Sequence, residues 1–459
     1  MYDKKTAVIV GGGAAGIITA IHLLRQGNDD INLVIVDKSK GNLCRGIAFA
    51  GNLPFAPLNV AAGKMGLSSI KPDDFYCWLQ SKPGYLENGN YNAGSYVPRK
   101  WFGDYLEDAL QREQARCGNR CRVLNDEVDD IDLGPGVNQY SLKLKSGTQL
   151  AAQYIVIATG NELPMHIFDN TTIEKLGGRY IGNPWHCNIS SLAEQQGDVL
   201  IIGTGLSMVD IAGSLNYCGH RAKITAFSRR GLLPQIHTQP NEITLSWPSQ
   251  ASLHEVFNLL RGNIAQAQLN SYAWQDVIDS LRAHTPGLWQ GFSVQEKQTF
   301  LRYLRVYWDI HRHRMPAESA KMLQELEAAG KFVVVSGRAK GVEVMDDRIV
   351  FNYTGRGGKP ASVTAGVIIN CVGPNSDYSK SGNLLMVNLM AKGMAVQDEL
   401  KLGIKTGRHG ELLQGNNEPL TNVYAIGGLR KPAEWETVAI PEIRAQAEAI
   451  SALISSGGL

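Results

Sequence analysis

Thr6-Ala7-Val8-Ile9-Val10-Gly11-Gly12-Gly13-Ala14-Ala15-Gly16 is the stretch that decides the fold. Residues 6–10 form an unbroken apolar run rich in β-branched side chains, the pattern of a strand buried on both faces. Gly11-x-Gly13-x-x-Gly16 follows without a gap. Ala14 to Gln26 carries Ile17, Ala20, Ile21 and Leu24 on one helical stripe. Ile31 to Val36 reads as a second buried strand that ends at Asp37. In such a unit one glycine makes the turn, the next admits a pyrophosphate, and the third lets helix and strand pack closely. The helix start adds free N–H groups and a positive dipole end, and an acid at Asp37 accepts from ribose hydroxyls. The expected dinucleotide contacts are Gly11, Gly13, Ala14, Ala15, Gly16, Asp37 and Lys38.

A second unit stands in the middle of the chain. Val199-Leu200-Ile201-Ile202 reads as a buried strand, Gly203-x-Gly205 follows, a helix runs from about Ser207 to Tyr217, and Ala222 to Phe227 is the next strand. Met208 occupies the place of the third glycine, which puts the closeness of helix and strand in question but not the phosphate turn. Asp37 follows Gly11 by 26 positions, and Arg229 follows Gly203 by the same 26. An acid suits a free 2′-hydroxyl and an arginine suits a 2′-phosphate. The first unit therefore expects FAD or NAD and the second NADP, held by Gly203, Gly205, Leu206, Ser207, Ser228, Arg229 and Arg230.

The 459 residues are 44% hydrophobic and 19% charged, a globular composition long enough for two or three domains. A net charge of +2 supplies no basic field, so a nucleic-acid partner is not expected. The seven cysteines form no CxxC pair or zinc doublet, which points to a reducing compartment. Cys117 and Cys121 have the spacing of one helix face. Ala7 to Leu24 is apolar enough to pass for a signal peptide, but its glycines and the strand beyond it favour the nucleotide-binding reading. The expectation is a cytoplasmic protein with no membrane partner.

Two units in one chain resemble the two-dinucleotide-binding flavoproteins. Tyr154-Ile155-Val156-Ile157-Ala158-Thr159-Gly160 looks like the strand that returns past the flavin, and Asn422-Val423-Tyr424-Ala425-Ile426-Gly427-Gly428 is similar to the last flavin strand. Further segments resemble a bacterial FAD/NAD(P)-binding family related to flavin-dependent and N-hydroxylating monooxygenases. They are Gly46-Ile47-Ala48-Phe49, Leu58-Asn59-Val60, Asn183-Pro184-Trp185, Gly203 to Asp210, Ser228 to Gly231, Trp308 to Arg314 and Trp435-Glu436-Thr437. The resemblance implies an α/β fold with two Rossmann-like domains and an α-helical insertion. A glutathione-reductase-like FAD domain would span 1–165 and 366–459, an inserted NADP domain 190–236 and 326–365, and the insertion 237–325. It also implies flavin contacts at Asn59, Met65, Thr159, Gly160, Gly427, Trp435 and Thr437, with Lys64 a weaker candidate. Gly428 stands where many such proteins carry an acid, so no acid is assigned there.

No GxSxG elbow, HExxH pair or redox CxxxxC is present, so the cofactors are expected to carry the chemistry. By the resemblance, NADPH reduces the flavin, molecular oxygen forms a C4a-hydroperoxyflavin, and one oxygen atom passes to a nucleophilic N, S or C centre of a small molecule. Asn59 is the candidate catalytic amide. A flavin reductase or dehydrogenase without oxygen insertion, and a redox-sensing flavoprotein without turnover, remain alternatives. The tryptophans at 247, 274, 289 and 308 fill a satellite core or form a wall near the flavin. His311-Arg312-His313-Arg314 reads as a solvated or anion-facing helix end rather than a metal site.

Overall fold

The computed structural model describes residues 4–39, 41–87, 91–136, 138–239, 241 and 243–458. Its first sheet is built on β1 (Lys5–Val10), flanked by β2 (Ile31–Asp37) and β7 (Tyr154–Ile157), with β3 (Cys121–Asn125), β16 (Pro419–Ala425) and β15 (Glu411–Leu413) outside them. Every pairing is parallel except that of edge strand β15 with β16. Side chains alternate across the sheet. Ala7 and Ile9 pack under α1 (Ala14–Arg25), α3 (Arg99–Cys117) and α15 (Ile440–Ser455). Val8 and Val10 face the antiparallel trio β4 (Val128–Leu133), β5 (Tyr140–Leu144) and β6 (Gln149–Ala152), together with α13 (Leu384–Ala391). Both faces are covered, which is why the strands read as continuous apolar runs.

The second sheet runs β13 (Pro360–Ala365), β12 (Ile349–Gly355), β11 (Phe332–Val344), β10 (Ile224–Ser228), β9 (Val199–Ile202), β14 (Val367–Asn370), β8 (Tyr180–Ile181). Helices α6 (Leu206–Tyr217) and α12 (Ala317–Ala328) pack on one face around Met208, Leu215, Met322, Leu323 and Leu326. Two boundaries differ from the sequence reading. Val367–Asn370 pair in parallel with Val199–Ile202, so the strand after residue 366 belongs to the second sheet, not to the flavin domain. The insertion also ends before α12, because β10 and β11 are parallel and need a crossover helix between them. Cys117 ends α3 and Cys121 begins β3, so these thiols do not share a helix face. All seven cysteines are free.

The insertion consists of α7 (Leu253–Leu269), α8 (Trp274–Ser280), α9 (Thr285–Gly291), α10 (Val294–Thr299) and α11 (Arg305–Arg312). Trp247, Trp289 and Phe300 form its core, which also takes in Leu402 and Trp435 of the first domain. The two sheet domains meet through the loop before α3. Phe55 N donates to Ser214 Oγ and Ser214 Oγ donates back to Phe55 O, at 3.2 and 3.0 Å. Arg99 reaches Asp210 on α6 at 2.8 Å. Among the described residues no helix is long and apolar enough to cross a membrane, and no cluster of His, Cys, Asp or Glu is placed to hold a metal.

Candidate functional site

The two glycine turns are near copies. Gly11 and Gly203 adopt φ of +108° and +112°. A Cβ on Gly11 would stand 2.3 Å from Ala158 O, and one on Gly203 would stand 2.3 Å from Cys371 O. Only glycine tolerates that φ and that approach. Helices α1 and α6 both start after an extended glycine, Gly13 and Gly205, with no side-chain cap. The first N–H groups of each helix are thus unclaimed by a capping side chain, as an anion site requires. Nothing lies within 4 Å of a Cβ on Gly205, and Gly13 meets only Gly46, from 3.6 Å, so both turns are open to a ligand. Gly16 is tight, with a virtual Cβ 2.0 Å from Gly11 O. Met208, at the matching position of the second unit, is fully buried in the core and leaves the turn geometry intact.

The strand ends differ by one residue from the sequence register. Gly11 N donates to Val36 O, whereas Gly203 N donates to Phe227 O. Val10 pairs with Val36 and Ile202 with Phe227. The connection leading into β10 is one residue shorter than that into β2, so Ser228, not Arg229, takes the place of Asp37. Arg229 lies one position further and is exposed. Asp37 Oδ2 accepts from Gly12 N at 2.6 Å and its Oδ1 accepts from Ser39 N. Ser228 Oγ accepts from Gly231 N and lies 2.9 Å from Thr204 Oγ1. Replacing a carboxylate by a hydroxyl removes the repulsion a 2′-phosphate would meet. Lys38 turns away to Glu127, at 2.7 Å.

Just beyond β7 and β16 of the first sheet, Gly160 and Gly427 adopt φ of +77° and +74°, and Gly427 N donates to Gln446 Oε1. The hydroxyls of Thr159 and Thr437 are buried without a hydrogen-bond partner. Helix α15 begins after extended Ala439 with no side-chain cap. Orphaned buried hydroxyls, an uncapped helix start and an open glycine turn fit a flavin dinucleotide. Asn59 is half-buried, and its side-chain amide makes no hydrogen bond among the described residues. Its carbonyl accepts from His237 Nε2 at 3.2 Å. His237 stacks on Tyr96 with ring centres 4.7 Å apart. Burial, with Arg314 adding repulsion, pushes the His237 imidazole down to about 4. Met65 is 1% exposed and packs in the core of the first domain.

The segment 432–442, which runs from a short helix at Lys431–Glu434 into the start of α15, is also where the insertion docks. Trp435, at a left-handed φ of +61°, tilts against Trp289 with ring centres 4.7 Å apart. Trp289 Nε1 donates to Pro432 O, and Arg282 grips Glu442 through Nε and Nη2. Glu436 is a buried hub. Trp308 Nε1 donates to it at 2.8 Å, and His313 stands 3.9 Å away. Burial pushes its carboxyl up, but His313, Arg312, Trp308 and Arg282 outweigh burial and hold it below the ordinary range. The segment 311–314 is therefore not a solvated helix end. Arg312 and Arg314 are buried, and Arg314 holds Asp279 with both contacts at 2.6 Å. His237 carried no sequence signal as a functional residue, and Glu436 was visible only as the middle of the Trp435-Glu436-Thr437 segment, since the partners of both are remote in the chain. Cys44 is buried and burial pushes its thiol up to about 12, away from the thiolate form.

Residues 8–162 match a family model described as FAD-NAD(P)-binding. A curated relative, the Baeyer-Villiger monooxygenase peniC of Penicillium patulum, is 26% identical over 237 residues, 46% of this chain and 32% of that protein. The match thus spans about a third of that relative's length. The L-lysine 6-monooxygenase of Pseudomonas syringae superposes with a TM-score of 0.66 at 14% identity, covering 98% of both chains. The ornithine N-hydroxylase KtzI of Kutzneria sp. 744 gives 0.64 at 16% identity over 99% of both. At these identities the likeness establishes the fold alone, an α/β architecture with two Rossmann-like sheets shared with these monooxygenases.

Proposed function

We propose that the protein is an FAD-dependent, NADPH-using monooxygenase acting on an N, S or C centre of a small molecule. The observation that carries the reading is the pair of matching glycine turns with unlike strand ends, a carboxylate in one and a hydroxyl followed by guanidinium groups in the other. The monooxygenase folds and the FAD-NAD(P)-binding model support it. FAD, when bound, supplies hydride acceptance and oxygen activation. The chain's own part is binding, orientation and shielding. The N–H groups at Gly13, Ala14 and Ala15 hold pyrophosphate, and Asp37 accepts from the ribose. Thr159 and Thr437 offer hydroxyls to the ring system, and the start of α15 favours negative charge at its edge. Asn59 presents an uncommitted amide, and the NADPH phosphates fall to Gly205, Leu206 and Ser207. The insertion, docked on 432–442, keeps water from the reacting face. Seven free cysteines fit the cytoplasm as the compartment.

The test is spectral and isotopic. The purified protein is expected to be yellow and to release FAD on heating. NADPH in air should bleach the colour, and product should carry one atom from labelled oxygen. Reduction of an organic acceptor with no label in the product would replace this reading by the reductase one.

A further inference from the structure

We propose that Arg356, on the turn joining β12 to β13, is a second reader of the NADPH 2′-phosphate, placed there by a contact that chain order hides. The inference rests on the NADPH reading of the second unit. The guanidinium of Arg230 lies over the ring of Tyr307 on α11, 5.1 Å from its centre. A guanidinium held on an aromatic face is already engaged, so Arg230 offers the phosphate loop its main chain more than its charge. Arg356 Nη2 donates to that main chain, at the carbonyl of Arg230, over 3.0 Å. This single bond brings a guanidinium from 126 positions downstream to the residue that follows Arg229.

Only one of the five N–H donors of Arg356 is used there, and the others remain available. The hairpin tip that carries it is braced. Gly355 N donates to Lys359 O at 2.9 Å, and Gly357 and Gly358 close the turn at φ of +83° and +78°. Among the described residues, none of Arg229, Arg230 and Arg356 has a carboxylate within ion-pair distance, whereas Arg305 and Arg312 on neighbouring α11 each do. With Arg230 engaged on Tyr307, the guanidinium groups without a partner are those of Arg229 and Arg356, on two turns joined at the Arg230 carbonyl, and an anion bound there would offset their like charge. A phosphate dianion meets that demand in fork geometry, and a 2′-hydroxyl does not.

The experiment is calorimetric titration of the purified protein with 2′,5′-ADP and with 5′-AMP, at low and high salt. Wild type, Arg356→Gln and Arg229→Ala are compared. Glutamine removes the charge and is two atoms too short to hold the Arg230 carbonyl, so the 5′-AMP arm separates lost charge from lost bracing, and the position is exposed, so folding is not at stake. Wild type should bind 2′,5′-ADP at least about tenfold more tightly than 5′-AMP, the margin of a charge-assisted contact. Arg356→Gln should lose about tenfold on 2′,5′-ADP and nothing on 5′-AMP, with a shallower salt dependence. Unchanged 2′,5′-ADP binding in Arg356→Gln, beside a loss in Arg229→Ala, overturns the inference and leaves the NADPH reading standing. Equal weakening of both ligands also overturns it, since Arg356 would then only brace the loop. A wild-type protein that binds both ligands equally removes the NADPH reading itself.

Discussion

Both carboxylate oxygens of Asp37 accept main-chain N–H groups, from Gly12 and from Ser39, and so fix the glycine turn as well as the ribose edge. Asp37→Ala is therefore expected to loosen the phosphate turn together with the ribose contact. The FAD dissociation constant should rise by about 10- to 100-fold, the scale of one or two charge-assisted hydrogen bonds, measured by recovery of free flavin fluorescence. His237 gives a residue-level test of a different kind. Its folded pKa of about 4 lies below the ordinary histidine value, so between the two the unfolded chain binds more protons. Stability then rises with pH across that interval, is complete above about 6.5, and is lost on acidification towards 4, on the order of 3 kcal/mol in all. Urea unfolding at pH 4.5 and 7.5 should show a smaller difference for His237→Gln than for wild type. Asp37 was legible because motif and acid sit in one short unit. His237 and Arg356 were not, because the partners that give them roles lie 178 and 126 positions away. The burial of Met65 was hidden for the same reason, since a loop sequence does not say which side chains turn into the core.

At the scale of elements, spacing located both strand–turn–helix units, and the matching φ values and carbonyl approaches of Gly11 and Gly203 bear out the turns. What spacing missed was one residue of register. Counting from the glycine assumes equal connections, while the strand pairing sets which residue ends β10. The proposed NADPH preference then rests on Ser228 in the place of the acid, with Arg229 one position further on. Gly203→Ala tests the turn directly. A Cβ 2.3 Å from Cys371 O at φ of +112° forces the turn away from β14. The cost is on the order of 1–3 kcal/mol for the backbone conformation alone. NADPH and NADH should both bind more weakly, by similar factors, because the turn serves the pyrophosphate they share. FAD content should stay close to wild type, since the first turn is untouched. Loss of FAD from Gly203→Ala would mean that the two units do not bind independently.

On the scale of the whole molecule, the insertion was visible as helical spacing outside the strand pattern, but its limits and its docking were not. Its last assigned residues belong to α12, whose Met322, Leu323 and Leu326 fill the second domain's core. Removing residues up to 320 would therefore damage that domain along with the insertion. A milder change addresses the proposed shielding. Trp308 reaches from α11 to Glu436 with a single indole N–H at 2.8 Å. Trp308→Phe keeps an aromatic ring, smaller than the indole, and removes that donor, while Arg282 still grips Glu442. The loss is about 1–3 kcal/mol for a hydrogen bond to a buried charge, enough to loosen the contact without unfolding the chain. FAD retention and the rate of flavin reduction by NADPH should be nearly unchanged, because neither cofactor turn is touched. The share of consumed NADPH that appears as hydrogen peroxide should rise severalfold, because water and protons then reach the activated flavin. Peroxide assay beside NADPH consumption reads this directly. An unchanged peroxide share in Trp308→Phe, at full FAD content, would mean that the insertion does not shield the flavin and that its docking on 432–442 serves folding alone.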